Sequence, residues 1–301
     1  MSSNLNNSLN NSTDANTSDT ILEVSGLNKA FERFALEDVT FSVPRGYIMG
    51  FIGPNGAGKT TTIKLILNVI SSDSGKVKIF GKESSASINE KIGVVMDAPM
   101  YVDEWTVSDV EAALAPFYLQ WDSDRYAAYL RQFGIDANKR IKELSRGMKV
   151  KLQIAVALSH HAQLLLLDEP TSGLDPVARD EICDLLREFV ADENNSVLFS
   201  THITSDLEKT ADYITFILNG RIVFTGAKDD LLESYARVTG GLEDINEDHR
   251  KLIVGYREHR TGFEGMIEAS KAGILPRTVL VEPISLDEII IFMNKGAVVN
   301  G

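Results

Sequence analysis

Eight consecutive residues, Gly53-Pro54-Asn55-Gly56-Ala57-Gly58-Lys59-Thr60, carry the clearest chemical signal in the chain. Closely spaced glycines allow backbone conformations that turn successive N–H groups toward one point, an arrangement suited to a chain of phosphates. Lys59 adds a cation able to reach the β- and γ-phosphates, the Thr60 hydroxyl suits a hard metal such as Mg²⁺, and Thr61 can support the α-phosphate. The pattern G-x-x-x-x-G-K-[ST] arises by chance in roughly one chain in a hundred of this length, so it needs a second element to carry weight. The apolar run Leu164–Leu167 followed by Asp168 and Glu169 supplies one. A buried parallel strand that ends in two carboxylates delivers them beside a phosphate loop, with Asp168 placed to hold Mg²⁺ through water and Glu169 to polarise an attacking water. An ordinary strand ending in a surface acidic pair is the bland alternative, and the upstream loop argues against it.

These residues need elements to position them. Short β-branched and aromatic runs at Ile21–Val24, Thr40–Val43 and Tyr47–Ile52 read as strands, the last running directly into the glycine-rich turn, with a helix expected from Gly58. Further strand-length runs at Val77–Phe80, Ile92–Met96, Val197–Ser200 and Tyr213–Leu218 alternate with helical patterns, which implies an α/β sheet. Over about 98–159 strand signals vanish and helical periodicity takes their place, predicting a helical insert. From about residue 227 to 301 the pattern becomes a small α/β extension: a helix at Asp229–Tyr235, strands near Lys251–Gly255 and Thr278–Val281, and a last helix opened by a Ser285/Glu288 capping box. Residues 1–20, nearly all Asn, Ser and Thr, read as a disordered tail. Its glycosylation-type triplets have no secretory signal to expose them.

Composition narrows the function. The 301 residues include 44% apolar ones and carry a formal net charge of −13, which argues against nucleic acid as the main partner because backbone phosphates call for a basic surface. Cys183 is the single cysteine, so no intrachain disulfide can form and a cytoplasmic setting fits. No apolar run approaches the roughly 20 residues of a membrane-spanning helix.

Four further features make the chain resemble the nucleotide-binding domains of ATP-binding-cassette (ABC) proteins over about 21–226. Leu144-Ser145-Arg146-Gly147-Met148 is similar to the family's signature motif, with Met in place of the usual Gln; Asp168-Glu169-Pro170-Thr171-Ser172-Gly173-Leu174-Asp175-Pro176 runs from the magnesium site into the loop that in the family crosses a dimer interface; His202 matches the switch histidine; and Phe31, with Phe34 as substitute, falls where an aromatic residue stacks on adenine. A departure lies at Asp97, where the family has Gln near the metal; a carboxylate there could ligate Mg²⁺ directly.

The resemblance implies a P-loop NTPase core of the RecA-like kind with an antiparallel β part, a helical subdomain and a C-terminal accessory domain. It also implies ATP and Mg²⁺ as ligands. Site residues carried over with it are Ser145, Gly147 and Asp175 toward a second nucleotide-binding domain's ATP, most simply in a homodimer, and Glu169, His202 and Lys59 in catalysis. The partner so implied is an integral membrane permease on whose cytoplasmic face the chain sits, and the signature variant resembles export systems. Two other readings remain: a non-transport ABC ATPase acting on ribosomes or DNA, which calls for paired cassettes or coiled coils, and a regulatory nucleotide switch, against which Glu169 and His202 argue. His160 and His161 read as a polar helix end, Trp105 and Trp121 as packing residues of the insert, and Cys183 as a small core residue.

Overall fold

The computed structural model describes residues 19–83, 86–97 and 101–299, and the chain divides into two compact units between Thr225 and Gly226. The tail read over residues 1–20 lies outside the described residues up to position 18, and Thr20 already opens the first strand. In the first unit β1 (Thr20–Ala30), β2 (Ala35–Pro44) and β3 (Ile48–Ile52) lead to α1 (Lys59–Ile66), then to β4 (Ser74–Ile79), β5 (Lys82–Glu83), α2 (Ala86–Asn89) and β6 (Ile92–Val95). Three helices follow, α3 (Val107–Leu114), α4 (Ser123–Gln132) and α5 (Arg146–Ser159). The chain then returns to β7 (Leu164–Asp168), α6 (Pro176–Val190), β8 (Ser196–Thr201), α7 (Thr204–Thr210), β9 (Tyr213–Leu218) and β10 (Arg221–Ala227).

Two sheets organise this unit. One is antiparallel, in the order β2-β1-β4-β5; the other has the order β10-β9-β3-β8-β7-β6, with β3 parallel to β8 and β9, and β7 parallel to β8 and β6. Strands β3, β7 and β8 are buried along their whole lengths, which is why their sequences are continuous rather than alternating. Because they are parallel neighbours, their carboxyl ends open on the same edge of the sheet, where α/β folds bind ligands. The glycine-rich turn, Asp168-Glu169 and His202 all follow those ends. Between the sheets the core includes Val24, Phe41, Phe51, Leu166 and Leu198, with the Phe41 and Phe51 rings 5.3 Å apart.

The helical region has its own core of Val107, Val110, Tyr126, Ile141, Leu152 and Ala155, against which Trp105 and Trp121 pack. His160 is buried, stacks on Tyr118 at 4.1 Å and places Nδ1 3.0 Å from the Glu90 carbonyl; burial pushes its pKa below the usual histidine value. His161 lies beside Arg125 instead, so the two rings do not converge on a metal. Cys183 is buried within α6. Among the described residues no helix is long and apolar enough to cross a membrane.

The second unit holds α8 (Lys228–Ser234), β11 (Tyr235–Gly240), α9 (Glu247–Leu252), β12 (Val254–His259), β13 (Gly262–Glu268), β14 (Leu280–Pro283) and α10 (Leu286–Val299), with an antiparallel sheet in the order β12-β13-β11-β14. Its core includes Val238, Ile253, Phe263, Ile267 and Val279. The Ser285/Glu288 box forms: Ser285 N–H donates to Glu288 Oε2 at 3.0 Å, and Glu288 N–H to Ser285 Oγ at 3.3 Å.

Two readings from sequence need correction. The strand expected at Ile21–Val24 continues to Ala30, because a register shift around left-handed Gly26 (φ 58°) breaks the alternation that would have revealed it. The strand expected at Lys251–Gly255 begins at Val254, the preceding residues closing α9, and β11 and β13 were not expected at all. β11 follows α8 with no turn residue between them, and two glycines interrupt the apolar pattern of β13.

Candidate functional site

The loop between β3 and α1 takes its shape from two backbone demands. Gly58 sits at φ 115° as the N-cap of α1, a conformation L side chains rarely adopt, and a Cβ on Gly53 would lie 2.3 Å from the Ile217 carbonyl oxygen. The helix therefore begins at Lys59 with the N–H groups of its first turn unpaired within the helix, an anion site by geometry. Ala57 N–H closes the loop on the Pro54 carbonyl at 3.2 Å. Lys59 is buried and folded across the loop, its Nζ donating to the carbonyls of Gly53 (2.7 Å) and Pro54 (3.2 Å). Thr61 is half-buried on the first turn of α1, and Asn55 and Gly56 are exposed at the loop's tip.

Asp168, buried at the end of β7, accepts from Thr60 Oγ1 through Oδ2 and from Ser200 Oγ through Oδ1, both at 2.7 Å. The register that sets Asp168 opposite Ser200 makes the second bond. Glu169 then takes a left-handed conformation (φ 50°), uncommon for a non-glycine residue and a recurrent mark of functional positions. Its N–H donates to the Ser200 carbonyl at 3.0 Å. Its Oε1 lies 3.1 Å from Lys59 Nζ, a charge contact without hydrogen-bond alignment, and its Oε2 is 2.7 Å from His202 Nδ1. An ionised carboxylate only accepts, so Nδ1 carries the proton in that bond.

The remaining expected residues make other contacts. Asp175 caps α6, its Oδ1 accepting from the N–H groups of Val177 (3.0 Å) and Ala178 (3.1 Å). Ser145 caps α5 through Met148 N–H at 3.2 Å. Among the described residues neither Ser145 nor Gly147 hydrogen-bonds or ion-pairs with the phosphate loop. Phe31 is exposed while Phe34 packs against the core, which leaves Phe31 as the aromatic face open to a ligand. Asp97 does not join Thr60 and Asp168: its Oδ1 is 2.5 Å from Arg146.

The sequence matches the family model described as ABC transporter over residues 36–172. It is 34% identical over 206 residues to the lantibiotic transport ATP-binding protein SrtF of Streptococcus pyogenes, covering 67% of this chain and 89% of that protein. The chain belongs to the ABC transporter ATP-binding family. It is 30% identical over 246 residues to the bacitracin transport ATP-binding protein BcrA of Bacillus licheniformis, covering 80% of this chain and 79% of that one. A solved structure described as the ATP binding subunit of an ABC transporter superposes with a TM-score of 0.63 at 30% identity, covering 70% of this chain and 92% of that chain.

As an ABC ATP-binding subunit the chain is an ATPase, and the fit to its ligands can be tested on the geometry. The cradle of Gly53–Thr60, with its cation and helix N-terminus, suits a triphosphate. Thr60 and Asp168 offer hard oxygen donors, and among the described residues no group of three or more Asp, Glu, His or Cys side chains could hold a metal. That sparse set suits Mg²⁺, which takes one or two protein oxygens and completes its shell with phosphate and water. Sequence reasoning missed Ser200, which orients Asp168, and Arg179, which ion-pairs with buried Asp206 and so ties α6 to α7 just beyond His202. The register of two adjacent parallel strands was the signal for Ser200; Arg179 left none in the local pattern.

Proposed function

We propose that this ABC ATP-binding subunit binds ATP with Mg²⁺ at the Gly53–Thr60 cradle, closes as a dimer over two nucleotides, and so powers a separate membrane permease from its cytoplasmic face. The observation that carries this reading is Glu169, held between Lys59 and His202 beside the Thr60–Asp168 pair. Lys59 would exchange the carbonyls of Gly53 and Pro54 for phosphate oxygens, a stronger, charge-assisted contact. Thr60 and Asp168 would hold Mg²⁺, which when bound neutralises charge on the phosphates. Glu169 accepts a proton from the attacking water, and His202, donating to its other oxygen, fixes the carboxylate's orientation. Exposed Phe31 would meet adenine, exposed Ser145 and half-buried Gly147 the neighbouring protomer's γ-phosphate, and Asp175 would lie at the protomer interface. Loss of the γ-phosphate contacts would then let the pair open.

Relatives named for lantibiotic and bacitracin transport, and another named for Nod factor export in Rhizobium leguminosarum bv. viciae, favour export. The test is phosphate release by the purified chain with its co-purified membrane subunit, combined with sedimentation. Mg²⁺-dependent hydrolysis and an ATP-driven shift from monomer to dimer are expected. A strictly monomeric protein under saturating MgATP would overturn the dimer reading, and absent hydrolysis would favour a nucleotide switch.

A further inference from the structure

Asp97 is tied to the helix that carries the signature motif. Besides the Asp97–Arg146 bond, α5 makes two contacts to residues on either side: the buried Gln153 side chain bonds both the N–H (3.1 Å) and the carbonyl (3.4 Å) of Met96, and Lys149 Nζ lies 3.6 Å from Asp103 Oδ1. Gln153 thus fixes the backbone from which Asp97 projects. Asp97, Arg146, Lys149 and Gln153 line one cleft of about 250 Å³.

On its other side Arg146 lies against the loop that leaves Glu169. A Cβ on Gly173 would be 3.3 Å from Arg146 Nε and 3.5 Å from Cζ, so the absence of a side chain at Gly173 lets the guanidinium rest on that backbone. Gly173 stands between Glu169, the proposed base, and Asp175, the cap of α6. One arginine therefore stands between two segments, bonded to Asp97 on one side and close beside Gly173 on the other.

We propose that Asp97 is a positioning residue that acts through Arg146, tying the segment after β6 to the Glu169–Asp175 loop, and is not a ligand of the metal. Both side chains are about half exposed (54% and 50%), so the pair adds little to global stability; its effect is to bias a loop between two arrangements. The inference rests on the proposed MgATP turnover at this site.

The test uses the full chain carrying Asp97→Asn, Arg146→Met, or both, with thermal unfolding confirming that each variant is folded. Each single change should lower kcat about three- to tenfold while leaving the KM for ATP and the Mg²⁺ half-saturation unchanged, and the double variant should be no slower than the slower single one. Arg146→Lys should recover part of the loss. Without nucleotide, Asp97→Asn should also speed amide exchange at Leu174, whose N–H bonds the Thr171 carbonyl at 3.2 Å, because the released guanidinium no longer braces that loop. A tenfold rise in the Mg²⁺ needed by Asp97→Asn would make Asp97 a metal ligand and overturn the proposal. So would losses that multiply in the double variant, unchanged kcat in either single one, or unchanged exchange at Leu174. Wild-type protein that releases no phosphate would sink the functional reading itself, a result distinct from all of these.

Discussion

Both carboxylate oxygens of Glu169 face a cationic or donating group, Lys59 on one side and His202 on the other. Glutamine has the same shape and its amide oxygen can still accept from His202, but it cannot take a proton from water. Glu169→Gln is therefore expected to lower kcat by about 10²–10⁴ while ATP affinity stays within about threefold, read by single-turnover phosphate release beside a nucleotide titration. Turnover near the wild-type rate would remove Glu169 from its role. At this scale the sequence was readable where candidate residues stand at fixed spacing along one segment, as in the cradle and Asp168-Glu169, whereas His202 was singled out only through the family resemblance. Ser200 was missed, because its bond to Asp168 comes from the pairing register of two strands far apart in sequence. The pairing of Asp97 with Arg146 was equally invisible, since nothing local to either residue points to the other.

At the scale of elements, Asp175 has a local task alongside any role at an interface. It caps α6, with Pro176 at the first helical position, where a missing N–H costs nothing. Removing such a cap costs about 0.5–2 kcal/mol, whereas Asn caps as well as Asp does. Asp175→Ala should therefore lower unfolding stability by that amount while Asp175→Asn leaves it unchanged, measured in urea. If the carboxylate also works between protomers, Asp175→Asn should weaken ATP-driven dimerisation without loss of stability. Equal destabilisation by the two changes would show that the cap contributes nothing. The sequence reading took Asp175 only as an interface residue and passed over its cap, although Asp followed by Pro is a common helix start. The fully buried strands β3, β7 and β8 were legible, because both faces are covered and their apolar runs are unbroken. Strands such as β11 and β13 pair in an antiparallel sheet built from short, glycine-interrupted segments, and there the pattern depends on neighbours that local sequence does not name.

For the whole molecule, the division between Thr225 and Gly226 places every proposed site residue in the first unit. Among the described residues, one core cluster lies within the sheets of the first unit, one within its helical region, and one within the second unit. The second unit adds its own polar network, in which Glu264 faces Arg237, Arg257 and His259; these partners outweigh the upward pull of burial and hold its carboxyl below the usual range. A folding unit this small buries only roughly 60% of its chain's surface and is marginal by itself, but the first unit is large enough to sustain a core. A chain ended after Ala227, where β10 finishes, should then fold, gain thermal stability from MgATP as any specific ligand confers it, and hydrolyse ATP within about threefold of the full-length rate. Circular dichroism, a thermal shift with nucleotide and phosphate release read the three outcomes. A shortened chain that is folded yet unmoved by MgATP would mean that the second unit completes the nucleotide site, and one that fails to fold would mean that the two cores are not independent.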